Sequence, residues 1–160
     1  MLNATIAARV AKLLIERGQT LAVSESSAGG LVSASLLTVP GASAFFKGGG
    51  VIYTAVAGKV LLGLTKESVA GRRSTTVPMA EFLAETIRTR LGADWGLAET
   101  GAAGPTGNPY GDPAGYSCIA VTGPRAIGRA VSTGKTDRTS NMFAFADSAL
   151  ALLAEALELA

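Results

Sequence analysis

Apolar residues recur at helical spacing at the start of the chain, where Ile6, Val10, Leu13 and Leu14 share one face between the capping residue Asn3 and the stop at Gly18. A short apolar run, Gln19 to Ser24, then reads as a strand that leads through the turn ESSAGG into a second helical segment. That segment carries Leu31, Val32, Ala34, Leu36 and Leu37 and ends before Pro40. The β-branched and aromatic run Val51, Ile52 and Tyr53 suits a second strand. Residues 59–64 and 66–71 read as short helical turns, and Val77 to Leu91 as a full helix with Pro78 in its first turn and Gly92 past its end. A third strand runs from Asp94 to Thr100. A long loop rich in glycine and proline follows, then a strand pair, Tyr116 to Thr122 and Gly128 to Thr133, around Gly123 and Pro124. The last segment, Thr139 to Leu159, is a long helix.

Strands alternating with helices, and one late hairpin, predict a single three-layer α/β/α domain over residues 1–160. Its sheet is expected to be mixed but mostly parallel, with about five strands of which one is antiparallel. At 160 residues and 48% hydrophobic content the chain closes its own core. The helical spacing of Arg9, Lys12, Glu16 and Arg17 fits neither a signal peptide nor a membrane span, so a soluble, cytoplasmic protein is expected.

The chain has no histidine and one cysteine. That removes the imidazole base of Ser-His-Asp and Cys-His sites and the ligand sets of zinc and iron-sulfur centres, so no metal is expected. A formal charge of +2 with dispersed basic residues gives no argument for nucleic-acid binding. Neither the lysine-bearing phosphate loop nor the GxGxxG fingerprint is present.

In a parallel α/β sheet ligands gather outside the carboxyl ends of the strands. SESSAGG (residues 24–30), the stretch from Pro40 to Ala55, and TGAAGP (100–105) are assigned to that region. The first offers either an anion site at a helix start or simple capping by Ser24, Ser26 or Ser27. Without histidine a serine nucleophile needs another base, and a Ser-Lys pairing is one solution, with Lys47 and Lys59 flanking the Tyr53 strand. Glu25 and Glu99, next to strand ends, are candidates for an acid-base pair. Asp137 and Arg138 open the last helix as a cap or an anion clamp, and Cys118 alternates into an apolar strand as core.

Taken together, SESSAGG, VPGASAFFKGGGVIY, TGAAGP and Asp137-Arg138 resemble the ordered motifs of the CinA C-terminal domain family, whose members act as nicotinamide mononucleotide amidohydrolases. The resemblance covers nearly the whole chain. It implies an anticodon-binding-domain-like α/β/α fold and hydrolysis of the nicotinamide amide to nicotinic acid mononucleotide and ammonia. No cofactor is implied, and a homo-oligomer is expected. The partner is a small nucleotide substrate rather than nucleic acid or membrane. No counterpart of the larger N-terminal domain of many relatives is expected. By position, Ser43 is the implied nucleophile and Ser26 the other candidate, with Tyr53 and Lys59 handling protons. Glu25, Ser27, Gly29 and Gly30 of the first motif would orient substrate or hold an oxyanion. Thr100, Gly101, Ala103, Gly104 and Arg138 would face the ribose phosphate.

The chain departs from the family pattern at three places. Ser27 and Ala28 replace a Cys-Thr pair, and Glu99 replaces a valine. Gly58 stands at the family lysine position, so that Lys59 comes one residue late, a helical rotation of about 100°. The competing readings are a non-catalytic CinA-like domain that binds a nucleotide or a protein, linked to competence and DNA damage, and a deamidase for a different small amide with Glu99 reshaping the pocket.

Overall fold

A computed structural model describes all 160 residues. Asn3 caps helix α1 (Ala4–Glu16) by accepting from the Ile6 N–H, and strand β1 (Leu21–Glu25) follows. Next come α2 (Leu31–Leu37), a single 3-10 turn (Ala42–Ala44) and β2 (Phe46–Val51). Helices α3 (Ala55–Leu62) and α4 (Val77–Leu91) precede β3 (Trp95–Ala102), β4 (Tyr116–Thr122) and β5 (Ile127–Ser132). The chain ends in α5 (Arg138–Glu158), capped by Asp137, which accepts from the Ser140 N–H.

The five strands lie in the order β2-β1-β3-β4-β5. β1 pairs in parallel with β2 and β3, while β4 is antiparallel to both β3 and β5, so four strands share one direction. Helices α1, α2 and α5 cover one face, where Leu14, Val23, Phe45, Trp95, Ile119 and Leu153 anchor the larger core. Helix α4 covers the other, over Ala22, Ala98, Cys118 and Ala120. The small residues on that face let a single helix lie close to the sheet.

Two elements differ from expectation. β2 begins at Phe46, and its glycines do not break it: a Cβ on Gly49 would stand 2.6 Å from Ser33 Oγ and 3.0 Å from the Val23 carbonyl. Glycine is therefore the residue that lets α2 sit on this strand, a packing constraint that strand propensity does not register. Tyr53 consequently falls after the strand. Helix α3 starts at Ala55 because Thr54 caps it, accepting from the Ala57 N–H, and residues 66–71 form turns only.

Candidate active site

The carboxyl ends of β1, β2 and β3 and the start of α5 meet at one end of the sheet. β1 finishes on Glu25, which is buried and accepts from the N–H groups of Gly30 (3.1 Å), Val32 (2.8 Å) and Ser33 (2.9 Å) and from Ser33 Oγ (2.7 Å). Glu99 on β3, equally buried, accepts from the Ser26 N–H (3.1 Å), the Ala28 N–H (2.8 Å), Ser27 Oγ (2.6 Å) and Ser117 Oγ (2.7 Å). Two internal carboxylates thus occupy the donors of the loop after β1. Burial pushes the Glu99 carboxyl above its ordinary range, against the four donors that pull it down.

This arrangement corrects several sequence expectations. The turn is not an open anion site, because the protein's own carboxylates fill it. Glu25 and Glu99 are not an acid-base pair facing a ligand, since each is enclosed by loop donors. Gly30 donates to Glu25, Gly29 donates to the Ser26 carbonyl (3.1 Å), and Ser27 donates to Glu99, so these residues support the loop rather than substrate. Glu99 lies beneath the loop and reshapes no pocket wall.

Beside this loop opens a cleft of about 1000 Å³. Ser26, Tyr53, Lys59 and Thr100 line it together, above an apolar floor of Ile52, Met79 and Leu83. Ser26 Oγ takes no hydrogen bond within the chain, its main-chain N–H being held by Glu99. Tyr53 Oη accepts from Arg138 Nη2 (2.9 Å), and the same guanidinium donates from Nη1 to the Gly104 carbonyl. Arg138 therefore ties the end of β2 to the loop after β3 instead of standing free for an anion. Lys59, one residue later than the family pattern, still borders the cleft. Gly58 is buried, and a side chain there would start 3.1 Å from Leu64 Cδ1.

The remaining predicted residues lie elsewhere. Gly101 packs on Ser117 and Ser27, with no room for a Cβ, and Ala103 is buried with its carbonyl accepting from Asn141 Nδ2 (2.7 Å). These residues, with Gly104, fasten α5 to β3; of the TGAAG run only Thr100 borders the cleft. Ser43 sits on the 3-10 turn before β2, at the amino end of the strand, so the six residues of β2 separate it from Tyr53 by about 20 Å. Lys47 is at that far end too, donating to the Gly92 carbonyl (2.8 Å).

Sequence reading missed the outer wall, formed by Lys66, Arg72, Arg73 and Tyr110, where Glu67 is the lone acidic residue of the cleft. The signal was available as three cations within residues 66–73, which a reading of the charges as dispersed passes over. Arg72 lies over the Phe82 ring at 4.6 Å, and Arg73 is held by Asp112 in a two-pronged ion pair (2.7 and 3.2 Å). Nothing in local sequence links Arg73 to Asp112, which is 39 residues away. Cys118 is buried in β4, which pushes its thiol up, as suits a core residue. No three His, Cys, Asp or Glu side chains converge, and no helix is long and apolar enough to cross a membrane.

The family model of the CinA C-terminal domain matches residues 3–157. A CinA-like protein of Synechococcus sp. (strain CC9902) is 42% identical over 119 residues, 74% of this chain and 28% of that protein. A CinA-like protein of Gloeobacter violaceus is 40% identical over 120 residues, 75% and 28% respectively, so the chain spans little more than a quarter of the length of these curated relatives. Among solved structures, a competence-damaged protein (CinA) superfamily protein from Klebsiella pneumoniae superposes with a TM-score of 0.90 at 28% identity, covering 98% of each chain. The competence/damage inducible protein CihA from Agrobacterium tumefaciens gives 0.87 at 27% identity, covering 97% of this chain and 94% of that one. With the family model spanning almost its full length and the same mixed five-stranded architecture in these structures, this chain belongs to the CinA C-terminal domain family.

Proposed function

We propose that the chain hydrolyses the carboxamide of nicotinamide mononucleotide, releasing ammonia and nicotinic acid mononucleotide. The observation that carries this reading is the convergence of Ser26, Tyr53, Lys59 and Thr100 on one cleft whose outer wall is cationic. An apolar floor suits the pyridine ring, and Lys66 and Arg72 suit the phosphate. Within a single chain Ser26 is the hydroxyl of this group best placed to attack. Its oxygen adds to the amide carbon, the C–N bond breaks with proton delivery to nitrogen, and ammonia leaves an ester on Ser26. Water then attacks that ester, forming the carboxylate and returning the proton to the serine oxygen. We assign these proton transfers to Tyr53 and Lys59, which border the cleft with Ser26, Arg138 holding the Tyr53 hydroxyl in place.

The test is ammonia release from nicotinamide mononucleotide by the purified protein. Ser26→Ala is expected to reduce turnover by about a thousandfold or more while the melting temperature holds. No ammonia from the wild type, or undiminished turnover in Ser26→Ala, would overturn the reading.

Moving the lysine into the family register gives a second check. The pair Gly58→Lys with Lys59→Val is expected to lower turnover about a hundredfold rather than raise it, because both positions border the cleft but a side chain at buried position 58 starts 3.1 Å from Leu64 Cδ1, while position 59 is exposed. A gain in kcat would show that the cleft uses position 58.

A further inference from the structure

The long loop after β3 is a tied-down wall of the cleft, and it sets one aromatic ring there. Asn108 closes residues 107–112 on themselves. Its Oδ1 accepts from the N–H groups of Tyr110 (3.0 Å) and Asp112 (3.1 Å), and its own N–H donates to the Asp112 carbonyl (3.0 Å). Asn108 Nδ2 donates outward to Thr75 Oγ1 (3.2 Å), while the Asp112 carboxylate takes both arms of Arg73. Thr75 is buried with φ at +58°, a backbone that a β-branched residue keeps only where its surroundings hold it. The Arg73 carbonyl accepts from Thr76 Oγ1 (2.7 Å), which in turn caps α4 at the Met79 N–H (3.3 Å). The loop, residues 73–76 and the Met79 end of the apolar floor are therefore one connected piece.

Tyr110 is what this piece presents. Arg73 lies over its ring at 5.4 Å, yet Tyr110 is 55% exposed and borders the cleft. The charges nearby give such a ring a use. Lys59, Lys66, Arg72 and Arg73 border the cleft against Glu67 alone, and Glu25 and Glu99 are enclosed by the loop after β1. A cleft of that sign suits a phosphate but repels a pyridinium ring, which carries a positive charge of its own. The π face of tyrosine attracts a cation without adding an anion that would repel the phosphate. Asp112 neutralises the guanidinium on one face of the ring, so the other face keeps that attraction.

We infer that Tyr110 determines specificity in this cleft, its free face stacking on the pyridinium ring of the substrate, and that Asp112, acting through Arg73, is the positioning residue behind it. The inference rests on the proposed amide hydrolysis for the identity of the substrate. The site thereby prefers a cationic aromatic ring to a neutral ring of the same size, a distinction that the apolar floor of Ile52, Met79 and Leu83 does not make.

Titration calorimetry on the full chain tests this by comparing nicotinamide mononucleotide with its reduced form, whose dihydropyridine ring is neutral. The wild type is expected to bind the oxidised form about tenfold more tightly. Tyr110→Leu is expected to abolish the preference and Tyr110→Phe to keep it, with KM for ammonia release rising about tenfold in the leucine variant while kcat stays within a few-fold. Asp112→Asn is expected to weaken the preference alone and to change nothing further in a Tyr110→Leu background, as befits a group that acts through the ring. A preference that survives Tyr110→Leu, or that the wild type lacks, overturns the role of Tyr110. So does its loss in Glu67→Gln, which assigns the ring charge to that carboxylate instead. A further loss in the double variant overturns the role of Asp112. A chain that shows the Tyr110-dependent preference but releases no ammonia overturns the amidase reading and supports ring recognition, and one that binds neither form overturns both.

Discussion

Glu99→Ala is expected to lower the stability of the chain by about 3 to 5 kcal/mol, read as a shift in the urea midpoint at constant slope. The carboxylate is enclosed and takes four donors, the N–H groups of Ser26 and Ala28 and the hydroxyls of Ser27 and Ser117. Alanine provides no acceptor for any of them. Ser117 Oγ has a second partner in the Thr100 carbonyl at 3.0 Å, so its loss is partly made good. The two main-chain donors have no such alternative, and a buried N–H left without a partner costs about 1 to 3 kcal/mol. Those N–H groups belong to the residues that set Ser26 over the cleft, so turnover is expected to fall with stability.

Glu99 also predicts a pH dependence. Because burial raises its folded value above the ordinary 4.5, the folded chain binds this proton more tightly than the unfolded chain. Its contribution to stability is complete below 4.5 and is lost as pH rises from there through the raised value. Glu99→Gln, which keeps the shape and stays neutral, is expected to flatten this slope in thermal unfolding. A slope that persists unchanged in Glu99→Gln would place the titration on another group.

Gly96→Ala is expected to cost about 3 kcal/mol and lower the melting temperature by about 10 °C. Gly96 lies in the middle of the sheet on β3, opposite Ala22 on β1 and Thr122 on β4, with α4 directly across it. A Cβ there would overlap the Ala84 carbonyl and come 2.8 Å from Arg88 Cβ. The obstacle is helix backbone, which has no rotamer to change, so α4 must shift as a body. Met79 and Leu83 on α4 form part of the cleft floor, so ligand affinity is expected to weaken as well, measured by a ligand-induced melting shift. A variant with unchanged melting would show that α4 moves on the sheet without cost.

The elements that local pattern predicted best are those whose signals lie within the element. Helix α4 spans the expected residues because Pro78 at its start and Gly92 past its end mark both limits within fifteen residues of sequence. Helices α1 and α5 follow from their caps at Asn3 and Asp137, and the late hairpin from its turn. β2 was harder to read, since glycines argue against a strand until it is seen that α2 needs their bareness.

The amino-acid sequence by itself determined the layered α/β architecture, because the periodicity of apolar residues and the capping chemistry are local properties of the chain. It also determined, through the absence of histidine, that any serine here works with a different base. Only the tertiary structure decided that Glu25 and Glu99 are internal carboxyl groups holding a loop, that Arg138 serves Tyr53, and that Ser43 and Ser26 stand at opposite ends of the sheet. Each of those facts depends on strand direction and on partners many residues apart, Ser26 and Glu99 by 73 and Tyr53 and Arg138 by 85. Such contacts arise only when the sheet assembles, and no spacing along the chain encodes them.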